Sequence, residues 1–240
     1  DGLAEMAHEH GALFHTDAVQ AVGKVPIDLR NTEIDMLSLS SHKLHGPKGL
    51  GALYLRKGTR FRPLLRGGHQ ERGRRAGTEN APAIIGLGRA AGMVMSTMAE
   101  DMARMTTLRD RLANGLIGSI GHCFLTGDPH DRLPNTATVA FEYIEGEAIL
   151  LKLNAAGIAA SSGSACTSGS LEPSHVLRAM NIPFTAAHGA IRFSLSRETT
   201  EKEIDYVLEV MPGIIAGLRA MSPFWSGDGA QPDGFQPEYA

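Results

Sequence analysis

The chain has 240 residues, 42% of them hydrophobic and 20% charged, and carries a net charge of −3 from 23 basic and 26 acidic side chains. That balance excludes a general attraction to nucleic acid or to an anionic membrane, and polar residues interrupt every apolar run before it reaches spanning length. Two cysteines, Cys123 and Cys166, exclude a disulfide framework and fit a reducing compartment, the cytoplasm.

Asp1–His10 reads as the middle or end of a helix, and with no initiator Met it implies residues before Asp1. Ala12–His15 is a short apolar strand ending at Thr16-Asp17. Asp17–Val25 follows as a helix closed by Pro26. Ile34–Leu39 is a second strand, ending at Ser40-Ser41-His42-Lys43, and Gly51–Leu55 a third. This is α/β patterning and predicts a sheet with parallel members, whose ligand crevice lies beyond the carboxyl ends of the strands. Asp17 and Lys43 both fall there.

Arg56–Arg75 is rich in Arg and Gly, with Glu71 its single acid and Phe61 its single aromatic. One ring is too few for a stacking platform, so anion binding or a subunit contact is the better reading. Glu79–Ile120 is a long helical region. Its Met93, Met95, Met98, Met102 and Met105 form a stripe suited to core packing. Gly86–Gly92 within it misses the dinucleotide-binding spacing. Beyond it come a strand over Pro134–Phe141, a helix over Glu145–Ala156 and a short strand at Ile158–Ala160. A helix begins at Pro173 and reaches Asn181, a strand spans Ala190–Leu195, and a helix spans Thr200–Met221. The second half therefore reads as a separate α+β unit. Gly227–Ala240, rich in Gly and Pro, reads as a disordered tail.

Three features carry chemistry. Lys43, at the mouth of a sheet, is either a solvated turn residue or an amine that condenses with a carbonyl cofactor, with Ser40 and His42 beside it for a phosphate. Asp17 either caps the following helix or pairs with a pyridinium nitrogen. Its order with Lys43 is that of a pyridoxal phosphate site. Cys166 lies in Ser161-Ser-Gly-Ser-Ala-Cys-Thr-Ser-Gly-Ser170. That run of small polar residues suits either an ordinary loop thiol or a nucleophile that swings between two partners. The His8, His10, His15 and His42, His45 groups lack cysteine pairs at zinc-ligand spacing. Cys123 reads as a packing residue.

The segments Phe14–Lys24, Ser41-His42-Lys43, Arg74–Thr78, Ser161–Ser168 and Ile191–Arg197 occur in the order found in cysteine desulfurases, and the chain resembles that family to about Ala220. Thr185–Arg192 is most similar to the nitrogen-fixation branch. The resemblance implies a type I fold of pyridoxal-phosphate-dependent transferases, aspartate-aminotransferase-like. It would comprise a partial large-domain sheet (1–95), an α+β small domain (96–222) and the tail (223–240). It implies that Lys43 covalently holds pyridoxal phosphate, that Asp17 pairs with the ring nitrogen and Gln20 with the ring oxygen, and that Ser40 and His42 bind the phosphate. Thr78 would reach the cofactor of the partner subunit in a homodimer, and Arg192 would clamp the carboxylate of L-cysteine. Cys166 would take the sulfur, leaving alanine, and pass it to an iron–sulfur scaffold protein, where it would also touch iron. Another enzyme of the same fold, such as a selenocysteine lyase or an aminotransferase, and a non-catalytic fragment are the alternative expectations. The family's first part, with its phosphate-gripping turn and ring-stacking His, has no counterpart in this sequence. Uncovered apolar area, poor stability and weak cofactor binding are therefore expected of the chain by itself.

Overall fold

The computed structural model describes residues 2–162 and 173–227. The chain divides into two compact units, Asp1–Asp101 and Met102–Ala240. Helix α3 (Ala81–Ser119) supplies residues to both.

In the first unit, α1 (Gly2–Glu9) precedes β1 (His15–Asp17), β2 (Met36–Ser40) and β3 (Gly51–Leu55), and the short α2 (Gln70–Gly73) follows. The sheet order is β1-β2-β3. β1 runs parallel to β2 with Asp17 opposite Ser38, and β3 runs antiparallel to β2 with Gly51 opposite Ser40. Buried Asp35 ties α1 to this sheet. It accepts from Phe14 N at 2.8 Å and lies 2.8 Å from His8 Nε2. The His8 contact, with the Phe14 amide second, holds its carboxyl below the ordinary value.

The helix expected over Asp17–Val25 is a turn instead. Ala21 N and Val22 N both return to Ala18 O, and Val22 then bridges to Val25. Three β-branched valines weaken the helical alternative. Gly23 ends it: its φ is +76°, and a Cβ there would lie 2.4 Å from Leu44 Cδ2 and 2.9 Å from Val94 Cγ1. The turn is thus pressed against the segment that carries Lys43.

Little of this unit's apolar surface is covered among the described residues. Leu13, Leu53, Leu64 and Ile85 are exposed, and β1 and β3 each have a single neighbouring strand. The methionine stripe divides accordingly. Met105, in the second unit, is buried, whereas Met93 and Met95, ten or more residues earlier on α3, are exposed.

The second unit is an antiparallel sheet, β4-β5-β6, formed by Cys123–Leu125, Thr136–Phe141 and Ala190–Ser194. Around it lie α4 (Gly146–Ala155), α5 (His175–Ala179), α6 (Phe184–Ala187) and α7 (Glu201–Arg219). On α7, Ile204, Val207, Met211, Ile215 and Leu218 recur at helical spacing and are all buried. They join Leu112 and Leu116 of α3, Phe141 of β5, Ile149 of α4 and Ile191 of β6 in one core. Thr200 starts α7 with a reciprocal cap, its side chain accepting from Glu203 N while the Glu203 carboxylate accepts from Thr200 N. Close approach fixes Gly189, where a Cβ would sit 1.9 Å from Phe141 O.

Three sequence expectations shift here. β4 was not anticipated, since three residues give too little periodicity to read. The strand expected at Ile158–Ala160 reduces to one bridge, Ser161 with Arg192. Pro173 precedes the α5 cap rather than sitting in its first turn, and the Ser174 side chain accepts from Val176 N. Cys123 is half-buried against the core, and burial pushes its thiol pKa up. Cys166, its loop from 163 to 172, and residues 228–240 of the expected tail lie outside the described residues.

Candidate cofactor site

Parallel β1 and β2 end side by side, so Asp17 and Ser40 emerge at the same edge of the sheet. A 3-10 turn, Ser41–Leu44, follows β2 at once and carries His42 and Lys43. It is pinned at both ends. Ser41 N donates to Leu50 O at 2.9 Å, and Gly46 N returns to Ser41 O at 3.0 Å. His45 closes it at φ 60°, in the left-handed region. The turn therefore fixes where the Lys43 side chain starts while leaving its long stem adjustable.

Ser40 Oγ lies 2.8 Å from His42 Nδ1, a polar pair that presents both side chains together. Asp17 Oδ1 accepts from Val19 N at 2.9 Å, so the local-cap reading is realised through one oxygen. Its other oxygen takes no hydrogen bond among the described residues. Gln20 lies exposed in the turn just after Asp17. Thr78 is exposed ahead of α3 in the first unit. Arg192 belongs to the second unit, on β6, where its Nη2 donates to Ser161 Oγ at 3.4 Å. The sheet edge thus brings together Asp17, Ser40, His42 and Lys43.

One residue of this site escaped the sequence reading. Lys24 Nζ is sealed from solvent and has no hydrogen-bond partner among the described residues. Burial lowers its pKa, and the nearby positive charge of Lys43 lowers it further. The available signal was a lysine following glycine in the otherwise apolar Ala21–Val25. Ser41 Oγ is likewise buried without a partner. Two orphaned polar groups around the Lys43 turn, beside one carboxylate, fit a ligand that brings an anionic group together with a protonated ring.

Lys24 also gives a test of the site's electrostatics. An amine whose folded pKa is depressed binds fewer protons than it does unfolded, so it destabilises the fold most below its folded pKa. That penalty is relieved as pH climbs toward the ordinary lysine value of 10.5. Without added cofactor, Lys24→Met is expected to raise the thermal midpoint at pH 7. The advantage should shrink steadily in melts taken at higher pH.

The aminotransferase class-V family model matches residues 1–207. A cysteine desulfurase of Gluconacetobacter diazotrophicus is 70% identical over 238 residues, and cysteine desulfurase NifS of Azotobacter vinelandii is 66% identical over 240. Each alignment covers 99% of this chain and 60% of the relative, so the chain spans about three fifths of the length of the curated relatives it matches. Among solved structures, a NifS-like protein superposes with a TM-score of 0.77 at 40% identity, over 86% of this chain and 53% of that one. A NifS-like protein from Rickettsia africae superposes at 0.81 and 28% identity, over 90% and 57%. The chain belongs to the aminotransferase class-V family, on the type I fold of pyridoxal-phosphate-dependent enzymes.

Proposed function

We propose that the chain is the greater part of a cysteine desulfurase, taking sulfur from L-cysteine and releasing L-alanine. The observation that carries this reading is the convergence of Asp17, Ser40, His42 and Lys43 at the carboxyl ends of two parallel strands. It is supported by the identity, up to 70%, to proteins named for that activity.

Pyridoxal phosphate, when bound, supplies an electron sink at the substrate α-carbon. The chain's own groups do the rest. Lys43 would hold the cofactor through its amine and would move the proton at the substrate Cα. Asp17 keeps the ring nitrogen protonated, Gln20 donates to the ring oxygen, and Ser40 with His42 holds the phosphate. Arg192 receives the substrate carboxylate in its planar fork. The Cys166 thiolate attacks the substrate sulfur, the carbon–sulfur bond breaks, and its electrons end with a proton on the alanine carbon. The balance is one cysteine plus one thiol giving one alanine plus one persulfide.

The finer proposals follow from the same reading. The molecule is a cytoplasmic homodimer in which Thr78 reaches the partner's cofactor phosphate, built from a cofactor-binding unit to residue 95 and a small domain from 96 to 222. Cys166 hands sulfur to an iron–sulfur scaffold, contacting iron during transfer, in the service of nitrogenase maturation. The deciding experiment replaces Cys166 with serine in the full-length, cofactor-loaded protein and follows alanine and sulfide from L-cysteine under reducing conditions. Loss of both products with cofactor content unchanged supports the proposal. Undiminished turnover would transfer the chain to another enzyme class on the same fold.

A further inference from the structure

Within the first unit, the turn after β3 and the 72–74 segment enclose a cavity of about 360 Å³. Its walls include Arg56, Lys57, Arg72, Arg74, Thr59 and Phe61. Arg56 is already engaged, since Nε donates to Ile34 O at 2.9 Å and Nη2 to the carbonyls of Leu29 and Thr32. The side chains of Lys57, Arg72 and Arg74 have no hydrogen bond or ion pair among the described residues. Arg60, Arg62 and Arg89 share that state, whereas five other arginines do not. Arg30, Arg104, Arg109, Arg111 and Arg219 all spend their guanidinium groups on carboxylates or carbonyls.

The backbone holds this arrangement at a cost. Glu71 and Arg72 take φ of 52° and 58°, a conformation that disfavours side chains other than glycine. Glu71 is the only acid between residues 56 and 75, and it does not line the cavity. Three cations without a protein partner among the described residues line one concavity, and two guanidinium forks match the geometry of a tetrahedral oxyanion.

We propose that this cavity binds a small phosphoryl oxyanion, either free phosphate or a phosphate ester. Arg72, Arg74 and Lys57 grip the phosphoryl group, and Phe61 offers a flat wall to the ring of an ester. The site is separate from the Lys43 turn and does not rest on the sulfur chemistry above.

The test is calorimetric titration of the cofactor-loaded full chain at low salt, so that the phosphate site of Ser40 and His42 is already filled. The probes are inorganic phosphate, adenosine monophosphate, adenosine and citrate. Saturable binding of phosphate and of the monophosphate, without binding of adenosine, is expected. Tighter binding of the monophosphate, lost on Phe61→Leu, assigns the ester; equal binding assigns the free ion. Arg72→Gly and Arg74→Ala should each weaken binding about tenfold, while Lys202→Ala, at an exposed position of α7, leaves it unchanged. Because glycine suits the backbone at residue 72, loss of binding in Arg72→Gly cannot come from added strain. Absence of saturable binding, binding indifferent to Arg72 and Arg74, or citrate binding as tightly as phosphate overturns the proposal.

Discussion

Lys43→Ala is expected to abolish covalent attachment of pyridoxal phosphate and to cut turnover of L-cysteine by a factor of about 1,000 or more. The change removes the amine and leaves the turn that carries it intact. The hydrogen bonds that shape Ser41–Leu44 run through Ser41, His42, His45 and Gly46 backbone groups, and none uses the Lys43 side chain. Loss of activity would therefore report on chemistry rather than folding. After borohydride reduction and tryptic digestion, the wild-type peptide containing Lys43 should carry the cofactor's mass and the variant should carry none. The contrast with Cys166→Ser is the informative part. That variant should keep the mass on Lys43 and still form neither alanine nor sulfide. Retained turnover in Lys43→Ala would remove the basis for the desulfurase reading. So would cofactor mass found on Lys24, which lies close enough to Lys43 for the two charges to be felt.

These outcomes probe a site that was only partly legible in the sequence. Asp17 and Lys43 could be placed because each ends an apolar run, and the end of a parallel strand is a position that pattern alone locates. Helix α7 was legible because its apolar residues recur at helical spacing. The 17–25 segment was misread because alternating Ala and Val mimic a helical face. What overrode the pattern was contact between residues distant in sequence, Gly23 against Leu44 and Val94. Lys24 was missed with it, since burial of an amine depends on how a turn packs and leaves no periodic trace. The exposed Met95 and the buried Met105, ten residues apart on α3, show the same limit on one helix. A stripe predicts which face is apolar, and only the fold says where along it a covering element lies.

Loss of the Arg219 side chain is expected to cost the fold heavily. Arg219 is a buried cation at the end of α7, 5% exposed. Nε donates to Glu142 O at 3.2 Å, Nη1 to Gly121 O at 2.7 Å and Nη2 to His122 O at 2.7 Å. It thereby ties α7 to the entry of β4 and the exit of β5. His122 and Tyr143 take positive φ in these two segments, and their rings cluster with Trp225. The guanidinium lies 4.6 Å from the centre of the Trp225 ring. Arg219→Met keeps much of the stem's apolar volume but leaves three carbonyls without their donor. The expected loss is about 3 kcal/mol, read as a fall of about 1.5 M in the urea midpoint for an m-value of about 2 kcal/mol/M. Trp225 is the only tryptophan in the chain, so its fluorescence follows this unit directly. Arg219→Lys should fall between the two, because a single ammonium cannot reach carbonyls arranged for a planar fork. A midpoint unchanged in Arg219→Met would mean that the strained turns at His122 and Tyr143 hold themselves, and that the guanidinium only fills space between them.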